Sequence, residues 1–313
     1  MKILIYVNTK QNFHNTNNLG GIEILNFDLY NYLNKHYETL LTNSLTTKIK
    51  KTKWDIVISS NDSIVFDLVD TKRKILWLHN KLQIEKAFRK KQLFSILFNN
   101  IEAVFVSNYL NYKTSKLYGF KKRIVIPNFL PKIFENYKNT KKSYLTKKRI
   151  VWSVQREKGL DKVIEIWINK VNVMAPKAEL HIFVANKINV NKLIKKNIFF
   201  HGKIPRDKLL DFYKNSIGMI CLGYDETFCL NAIEAMKMGL PVISLGETAL
   251  NELIINKKNG YKINNIENIY KPILNLIDLN SNQRNKISKS SIKFTKKFNS
   301  KYVFNKWNNL ILS

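Results

Sequence analysis

The chain has 313 residues, which suits two domains of about 150 residues, and no stretch approaches the roughly 20 apolar residues of a membrane-spanning helix. Its formal net charge of +30 could indicate a nucleic acid or an anionic membrane as a partner. The charge comes almost entirely from lysine and is spread along the chain, whereas nucleic-acid proteins concentrate it on one surface. We therefore expect no nucleic-acid partner, and attachment to an anionic membrane leaflet remains open.

The expected cellular setting follows from the amino terminus and the cysteines. The first apolar run is too short for a signal peptide and is better interpreted as a buried strand. The two cysteines, Cys221 and Cys229, do not have the spacing of a metal site. We expect a reduced, cytoplasmic setting, with peripheral attachment to the inner leaflet of the membrane as an open alternative.

The first part of the chain alternates short apolar runs with helical patterns. Short apolar strands separated by helices predict a parallel sheet that is covered on both faces. The predicted strands are 3–7, 54–59, 74–78, 103–106 and 123–126. The predicted helices are 22–33 and 81–99, and the lysine- and asparagine-rich stretch 128–148 is predicted to connect two domains.

The second part of the chain repeats this pattern. The predicted strands are 150–154, 180–184, 198–200, 218–222 and 241–244. The predicted helices are 159–171, one that begins at Pro205, and 301–312. In the last of these helices the apolar residues recur on one face, at Val303, Trp307, Leu310 and Ile311.

The most informative stretch is 225–244, which reads DETFCLNAIEAMKMGLPVIS. It predicts a loop, a helix whose start is capped by Thr227, and a buried strand. Phe228 is the first of the apolar residues at helical spacing. Gly239 is expected to be the left-handed residue after the helix, and Pro241 prevents the helix from continuing.

Two glutamates bracket this helix start. Glu226 is expected in the loop just before it, and Glu234 about two turns into the helix, roughly 10 Å further along the axis. A helix start carries free N–H groups and a positive partial charge, so it suits a phosphate. Two carboxylates beside such a start could hold hydroxyl groups on either side of a pyrophosphate. A surface helix with incidental acids is the alternative interpretation.

Five segments, in chain order, resemble retaining glycosyltransferases with the GT-B fold, specifically the large family 4 group. The paired glutamates followed by Ala-Met-x-x-Gly-x-Pro-Val are similar to the nucleotide-sugar site of that family. Residues 20–23 match its glycine-rich loop, and residues 151–161 match the phosphate-binding entry to its second domain. Residues 104–107 and 124–128 match the two strands that close the amino-terminal domain.

The resemblance implies an α/β chain with two doubly wound, Rossmann-like domains that face each other across a cleft. The implied domains are 1–140 on the acceptor side, 141–298 for nucleotide-sugar binding, and 299–313 as a helix that crosses back to the first domain. The implied activity is hexosyl transfer, with retention, from a nucleotide-diphosphate sugar to a glycan or glycolipid acceptor. Surface polysaccharide or lipopolysaccharide synthesis is the expected setting.

Several site residues are implied for the diphosphate. Arg156 and Lys158 lie where a predicted strand gives way to a helix, and their charges suit the departing diphosphate. This loop is shorter than in the family, so we expect Lys158, next to Gly159, to reach the phosphate more readily than Arg156. Backbone N–H groups of the predicted helix start would add to this site, and the residues concerned are Thr227, Phe228 and Cys229.

The family pattern assigns the remaining site residues. Glu234 would hold the ribose hydroxyls, and Glu226 those of the donor sugar. Gly20 and Gly21 would let the amino-terminal loop approach the diphosphate, although an ordinary strand-to-helix turn is an equal alternative. His79 follows a predicted strand and is assigned, with Lys158 and Glu226, to the reaction centre, although a lone histidine is more often structural.

The sequence predicts no cofactor and no metal, because it lacks an Asp-x-Asp pair and a histidine–cysteine cluster at ligand spacing. The expected partners are the nucleotide-sugar donor and the glycan or lipid-linked acceptor. One alternative function is a nucleotide-sugar epimerase of GT-B type. The other is a basic nucleic-acid-binding or scaffold protein on a degenerate transferase fold, against which the intact motif residues argue.

Overall fold

The computed structural model describes residues 1–13, 19–137, 147–185 and 196–313. These residues group into two compact units, the first comprising Met1–Pro131 with Ser300–Ser313 and the second Lys132–Asn299. The domain boundary that the sequence suggested, after residue 140, lies outside the described residues. Residues 132–137, which the sequence assigned to the first domain, belong to the second unit.

The first unit contains a six-stranded sheet in which every neighbouring pair of strands is parallel. Its strands are β1 Lys2–Val7, β2 Glu38–Thr42, β3 Trp54–Ser60, β4 Thr71–Leu78, β5 Glu102–Phe105 and β6 Lys122–Val125. Their spatial order is β2-β1-β3-β4-β5-β6. The helices before the second unit are α1 Gly21–Leu33, α2 Thr47–Lys51, α3 Ile84–Arg89, α4 Gln92–Phe98 and α5 Asn108–Lys113.

The second unit contains another parallel six-stranded sheet. Its strands are β7 Lys148–Trp152, β8 Ala178–Ile182, β9 Ile198–Phe200, β10 Gly218–Ile220, β11 Val242–Ser244 and β12 Gly260–Lys262, in the order β12-β11-β10-β7-β8-β9. The remaining helices are α6 Lys132–Glu135, α7 Leu160–Ile166, α8 Asn172–Met174, α9 Arg206–Lys214, α10 Leu230–Lys237, α11 Leu250–Leu253, α12 Tyr270–Asp278, α13 Ser281–Thr295 and α14 Ser300–Leu312. Among the described residues, no helix is both long enough and apolar enough to span a bilayer.

Two edge strands were missed by the sequence analysis. β2 lies at the edge beside β1, and its side chains are half-buried or exposed, so no buried apolar run marks it. β12 is three residues long and lies at the edge of the other sheet. Apolar runs identify strands that are covered on both faces, and edge strands need no such run.

The single helix predicted for 81–99 is wrong. α3 ends at Arg89 and α4 begins at Gln92, because Lys91 between them adopts a left-handed backbone with φ of 59°. Phe88 and Phe94, two apolar residues of this stretch, are 56% and 49% exposed. The predicted helix 159–171 is not a regular α-helix throughout, since a π-helical turn follows α7.

The carboxy-terminal helix α14 packs within the first unit. Trp307 is fully buried with its ring centroid 4.9 Å from that of Trp77 on β4. The Arg73 guanidinium, also on β4, donates hydrogen bonds to the carbonyl groups of Leu310 and Ile311 at 2.9 and 3.0 Å. These carbonyls belong to the last turn of α14, which has no intrahelical donors for them. Apolar and polar contacts therefore both attach α14 to β4.

The order of the strands identifies one position where a ligand is expected in the second sheet. The chain forms β7, β8 and β9 in one direction, and then returns to the other side of β7 to form β10. Ligands of open parallel sheets bind outside the carboxyl ends of the strands at such a switch point. The segments that follow β7 and β10 therefore flank the expected site.

Candidate active site

The helix of the paired-glutamate segment begins later than the sequence predicted. α10 starts at Leu230, and the preceding residue is Cys229, with a left-handed φ of 69°. The prediction that Thr227 caps this helix is wrong, and Phe228 also precedes the first turn. Glu234 therefore lies little more than one turn from the helix start, instead of two.

The side chain of Phe228 is part of the core. It is 4% exposed and packs edge-on against Phe298, with the ring centroids 5.5 Å apart. Any contact of this residue with a ligand would have to come from its backbone, as the sequence analysis assumed. The end of the helix is as predicted, because Gly239 has a φ of 82° directly after the last turn.

The loop between β10 and α10 is held in an unusual backbone conformation. Gly223, Asp225 and Cys229 have φ angles of 95°, 53° and 69°. Left-handed conformations are strained for residues other than glycine, and such strain is concentrated at functional sites. The loop returns Cys229 to Cys221, and their sulfur atoms are 3.3 Å apart.

Lys158 and Glu226 meet at the switch point. The Lys158 ammonium donates a hydrogen bond to the carbonyl group of Tyr224 at 2.5 Å, and it lies 3.7 Å from Glu226 Oε1. Burial raises the pKa of the Glu226 carboxyl, and the charge of Lys158 opposes this. Gly159 has a φ of 101°, and a side chain there would lie 2.6 Å from Leu222. Glycine therefore permits the close approach of the two loops.

Arg156 has a different environment from Lys158, although both lie in one short turn after β7. Its guanidinium forms an ion pair with Asp161 at 2.9 Å, and its side chain is 37% exposed. The Lys158 side chain is 17% exposed. The structure therefore brings Lys158, and not Arg156, against Glu226.

Glu234 is fully buried and forms an ion pair with Arg206, the first residue of α9. Burial raises the pKa of the Glu234 carboxyl, and Arg206 opposes this. Its Oε1 accepts the hydrogen bond from Arg206, whereas its Oε2 has no hydrogen-bond partner in the part of the chain that the structure describes. A buried polar atom without a partner requires an explanation.

Sequence reasoning did not identify Arg206 as a site residue. The only local signal was an arginine after Pro205 at a predicted helix start, following a strand. Arg206 and Glu234 are 28 positions apart, so no motif connects them.

Polar contacts fix α10 over the end of β7. The Asn231 side-chain amide, in the first turn of α10, donates a hydrogen bond to the carbonyl of Ser153. The Ser153 hydroxyl lies 2.6 Å from the hydroxyl of Tyr213 on α9. Burial raises the pKa of Tyr213 well above its usual value, so this hydroxyl stays neutral. These contacts join α10, α9 and the segment after β7. The three elements carry Glu234, Arg206 and Lys158, respectively.

The remaining predicted site residues belong to the first unit. Gly20 directly precedes α1, and a side chain there would collide with the carboxylate of Glu23, which accepts a hydrogen bond from Thr9 at 2.9 Å. Gly21 is the first residue of α1. Both glycines therefore lie at the amino end of α1.

His79 directly follows β4 and is 5% exposed. Its backbone N–H donates to the side chain of Asn61 at 2.8 Å, and its ring packs on Trp77 with the centroids 4.4 Å apart. Burial lowers the pKa of His79 to about 3. The imidazole is therefore neutral at physiological pH.

A cavity of about 120 Å³ opens beside this histidine, at the carboxyl ends of β3 and β4. Its lining includes Asn61 and Gln92 and three basic side chains, those of Lys81, Lys86 and Lys90. The cavity lies entirely in the first unit, and its charge favours an anionic ligand.

The buried His79 leads to a prediction for acid stability. Its pKa is about 6.5 in the unfolded chain and about 3 in the folded one, so the unfolded state binds more protons between these values. The contribution of His79 to the free energy of unfolding is therefore complete above pH 6.5 and declines as the pH falls toward 3. Below pH 6.5 we expect the free energy of unfolding to fall less steeply with pH in His79→Gln than in the wild type. The two slopes should differ by up to about 1 kcal/mol per pH unit.

Urea unfolding at pH 7, 6 and 5 would measure this difference. His36→Gln, at an exposed histidine of the same unit, is the matched control for removal of an imidazole. Parallel stability curves for His79→Gln and the wild type would show that His79 is not protonated on unfolding in this range.

Two parallel, doubly wound sheets, with a lysine and two glutamates at the switch point of the second, define the GT-B class that the sequence predicted. The family described as glycosyl transferases group 1 matches residues 134–294, just over half of the chain. The chain belongs to this family.

Solved structures of low sequence identity share the fold. WaaG, described as a glycosyltransferase involved in lipopolysaccharide biosynthesis, is similar with a TM-score of 0.73 and 12% identity, over 99% of both chains. TarM of S. aureus, solved with fondaparinux, alpha-GlcNAc-glycerol and UDP, is similar with a TM-score of 0.67 and 20% identity. That match covers 92% of this chain and 59% of TarM, so the chain spans about three fifths of the length of TarM.

A protein named biotin synthase, from Methanococcus vannielii, is 27% identical to this chain over 273 residues, which is 83% of this chain and 76% of that protein. This identity is too low to show a shared family. The name of that protein describes a chemistry different from that of the matched family and of WaaG.

Proposed function

We propose that this chain is a retaining glycosyltransferase of family 4, which transfers a hexosyl group from a nucleotide-diphosphate sugar to a glycan or glycolipid. The observation that carries the proposal is the buried Glu234 beside the switch-point segments, whose Oε2 has no hydrogen-bond partner among the described residues. Such an oxygen costs free energy unless a donor reaches it. The hydroxyl groups of a ribose are donors of the required kind.

The leaving group explains the need for Lys158. When the bond between the anomeric carbon and the phosphate oxygen breaks, negative charge grows on the departing diphosphate. Lys158 lies at the carboxyl end of β7, where its ammonium can stabilise that charge, and the start of α10 contributes backbone N–H groups. Arg156 is the second cation, available when its ion pair with Asp161 opens.

Glu226 is the proposed contact of the donor sugar, and the family pattern assigns His79 to the reaction centre. Glu226 can accept hydrogen bonds from two sugar hydroxyls, and Lys158 keeps a positive charge beside it. His79 contributes a neutral imidazole, because burial lowers its pKa to about 3. For retention we propose displacement on one face of the sugar, in which the leaving phosphate accepts the proton of the acceptor hydroxyl.

The acceptor is proposed to be a surface polysaccharide or lipopolysaccharide intermediate. The lysine-lined cavity beside His79 supports an acceptor that carries phosphate or carboxylate groups. WaaG, which shares the fold, is described as acting in lipopolysaccharide biosynthesis.

We also propose a cytoplasmic location with peripheral attachment to an anionic leaflet. α3 and α4 expose Phe88, Phe94 and Phe98 at 56%, 49% and 80%, beside basic residues of the same segment such as Arg89 and Lys90. Exposed aromatic rings next to lysines and arginines suit the surface of an anionic bilayer. Sedimentation with anionic vesicles tests this, and equal binding to neutral vesicles would contradict it.

Ligand-dependent thermal stability tests the proposed function against its alternatives. A ligand that binds only the native state raises the unfolding temperature by mass action. We expect nucleoside diphosphates to stabilise the protein, and single-stranded nucleic acid of equal phosphate concentration to have no such effect. The reverse result would favour a nucleic-acid-binding or scaffold protein. Incubation with nucleotide sugars then distinguishes a transferase, which releases nucleoside diphosphate, from an epimerase, which inverts a sugar carbon.

We predict that transfer requires no divalent metal. The proposed diphosphate site carries Lys158 and Arg156, which can neutralise the diphosphate themselves. The rate in excess chelator should therefore remain close to the rate with magnesium or manganese. Complete loss of activity in chelator, restored by either metal, would contradict both this prediction and the proposed leaving-group stabilisation. A modest stimulation would not, since free metal also assists release of the nucleotide product.

A further inference from the structure

Three potential metal ligands converge in the loop between β10 and α10. They are Cys221, directly after β10, Glu226, within the loop, and Cys229, directly before α10. The two sulfur atoms and a carboxylate oxygen all lie within 4.8 Å of one another. Sequence spacing did not suggest this group, because the eight positions that separate the cysteines are spanned by a tightly folded loop.

The loop holds this geometry by contacts of its own backbone. The N–H of Cys221 donates to the carbonyl of Ile243 on β11 at 2.9 Å, and the carbonyl of Glu226 accepts from Ala249 at 3.3 Å. The left-handed residue Cys229 directs the chain into α10. The ligand atoms are therefore brought together by the folded loop, and a metal would not have to assemble them.

The spacing of the ligand atoms suits a tetrahedral ion. Zinc binds sulfur at about 2.3 Å, which separates two thiolate ligands by about 3.7 Å in a tetrahedron. The sulfur atoms are 3.3 Å apart, so a shift of a few tenths of an ångström would accommodate the ion. Two soft thiolates and one carboxylate favour zinc over magnesium or calcium, which prefer oxygen ligands.

The surrounding charge also suits a divalent cation. Two thiolates and the Glu226 carboxylate carry three negative charges, against two on zinc and one on the Lys158 ammonium, 3.7 Å from Glu226. The site would therefore be neutral as a whole, and the protons of both thiols would pass to solvent when the metal binds.

We propose that Cys221, Glu226 and Cys229 form a zinc site, and that zinc bound there inhibits transfer by withdrawing Glu226 from the donor sugar. The inhibition rests on the proposed function, whereas the binding of zinc does not. The inference is compatible with transfer that needs no metal, since this site is regulatory and its ligands disfavour magnesium.

Zinc stoichiometry tests the site without reference to activity. The full chain, reduced with a phosphine and freed of metal, would be incubated with zinc, desalted, and denatured to release the metal to a colorimetric dye. We expect about one equivalent per chain in the wild type and a clear loss in Cys221→Ser, Cys229→Ser and Glu226→Gln. Glu247→Gln, at an exposed glutamate after β11, is the matched control and should retain zinc. No retained zinc in the wild type, or equal retention in both serine variants, would overturn the proposal.

Cobalt substitution provides a second measurement that needs no variant. Cobalt(II) in a tetrahedral thiolate site absorbs in the near ultraviolet through sulfur-to-metal charge transfer. We expect this absorption on titration of the wild type and its disappearance when zinc is added. Its absence would exclude thiolate coordination even if the serine variants failed to fold.

The inhibitory part is tested with the same samples. Zinc should lower transfer in the wild type and chelator should restore it, while Cys221→Ser should lose this response. If the wild type retains zinc but zinc does not change its transfer rate, the proposed inhibition is overturned and the proposed zinc site is not. Failure of the proposed function would instead appear as absence of nucleoside diphosphate binding in metal-free protein.

Discussion

Replacement of Glu234 by alanine should weaken nucleoside diphosphate binding roughly 10- to 100-fold while the protein remains folded. The expected loss corresponds to hydrogen bonds to a charged group, at about 1.5–3 kcal/mol. Glu234 Oε2 is buried and has no hydrogen-bond partner among the residues described, which supports the assignment of ribose hydroxyls to it. Isothermal titration calorimetry with nucleoside diphosphates would measure the change.

The ion pair with Arg206 determines the controls for this experiment. Glu234→Ala leaves the Arg206 guanidinium without its buried partner, and loss of one member of a buried pair can destabilise the fold by itself. The double variant Glu234→Ala/Arg206→Ala removes both charges and separates this effect from ligand binding. Arg206→Ala alone shows whether the arginine holds Glu234 in position. Unchanged affinity in a folded Glu234→Ala protein would remove Glu234 from the site.

Replacement of Lys158 by alanine should lower turnover roughly 100-fold, whereas Arg156→Ala should lower turnover by less than about tenfold. Lys158 is buried more deeply than Arg156, and its ammonium is held by the carbonyl of Tyr224 and by Glu226. Arg156 instead forms an exposed pair with Asp161. Because the charge on the diphosphate grows during transfer, the loss should fall mainly on kcat.

Steady-state kinetics of four variants would test this order. Lys158→Arg keeps the charge and should retain more activity than Lys158→Ala. Lys162→Ala, at a lysine of α7 paired with Glu165 and Glu267, is the matched control for loss of an ammonium. A larger loss in Arg156→Ala than in Lys158→Ala would mean that the shortened loop presents the arginine to the phosphate.

Most core strands and helices could be predicted from the sequence, because their signals are local. Buried apolar runs predicted the central strands of both sheets, and the apolar face of α14 predicted the burial of Trp307. The errors fall where local signals mislead. The edge strands β2 and β12 need no buried run, and the aromatic residues of α3 and α4 lie on the surface.

The candidate site could be predicted in part. The sequence indicated Glu226 in a loop, Glu234 in a helix and Gly239 after that helix, because spacing and turn residues determine these positions. The start of the helix at Leu230 could not be predicted, since Thr227 is a preferred N-cap residue and Cys229 is not. In the folded protein the left-handed Cys229 precedes α10 instead.

The sequence by itself predicted the class of the fold, an organisation in two domains and the order of the motif residues. These features could be predicted because apolar periodicity, glycines and caps act over a few positions. The tertiary structure alone decided which groups meet. Parallel strands bring their carboxyl ends to one edge of a sheet, so residues that are distant in the chain become neighbours there. Arg206 reaches Glu234 and Lys158 reaches Glu226 for this reason, whereas the folded loop after β10 returns Cys229 to Cys221.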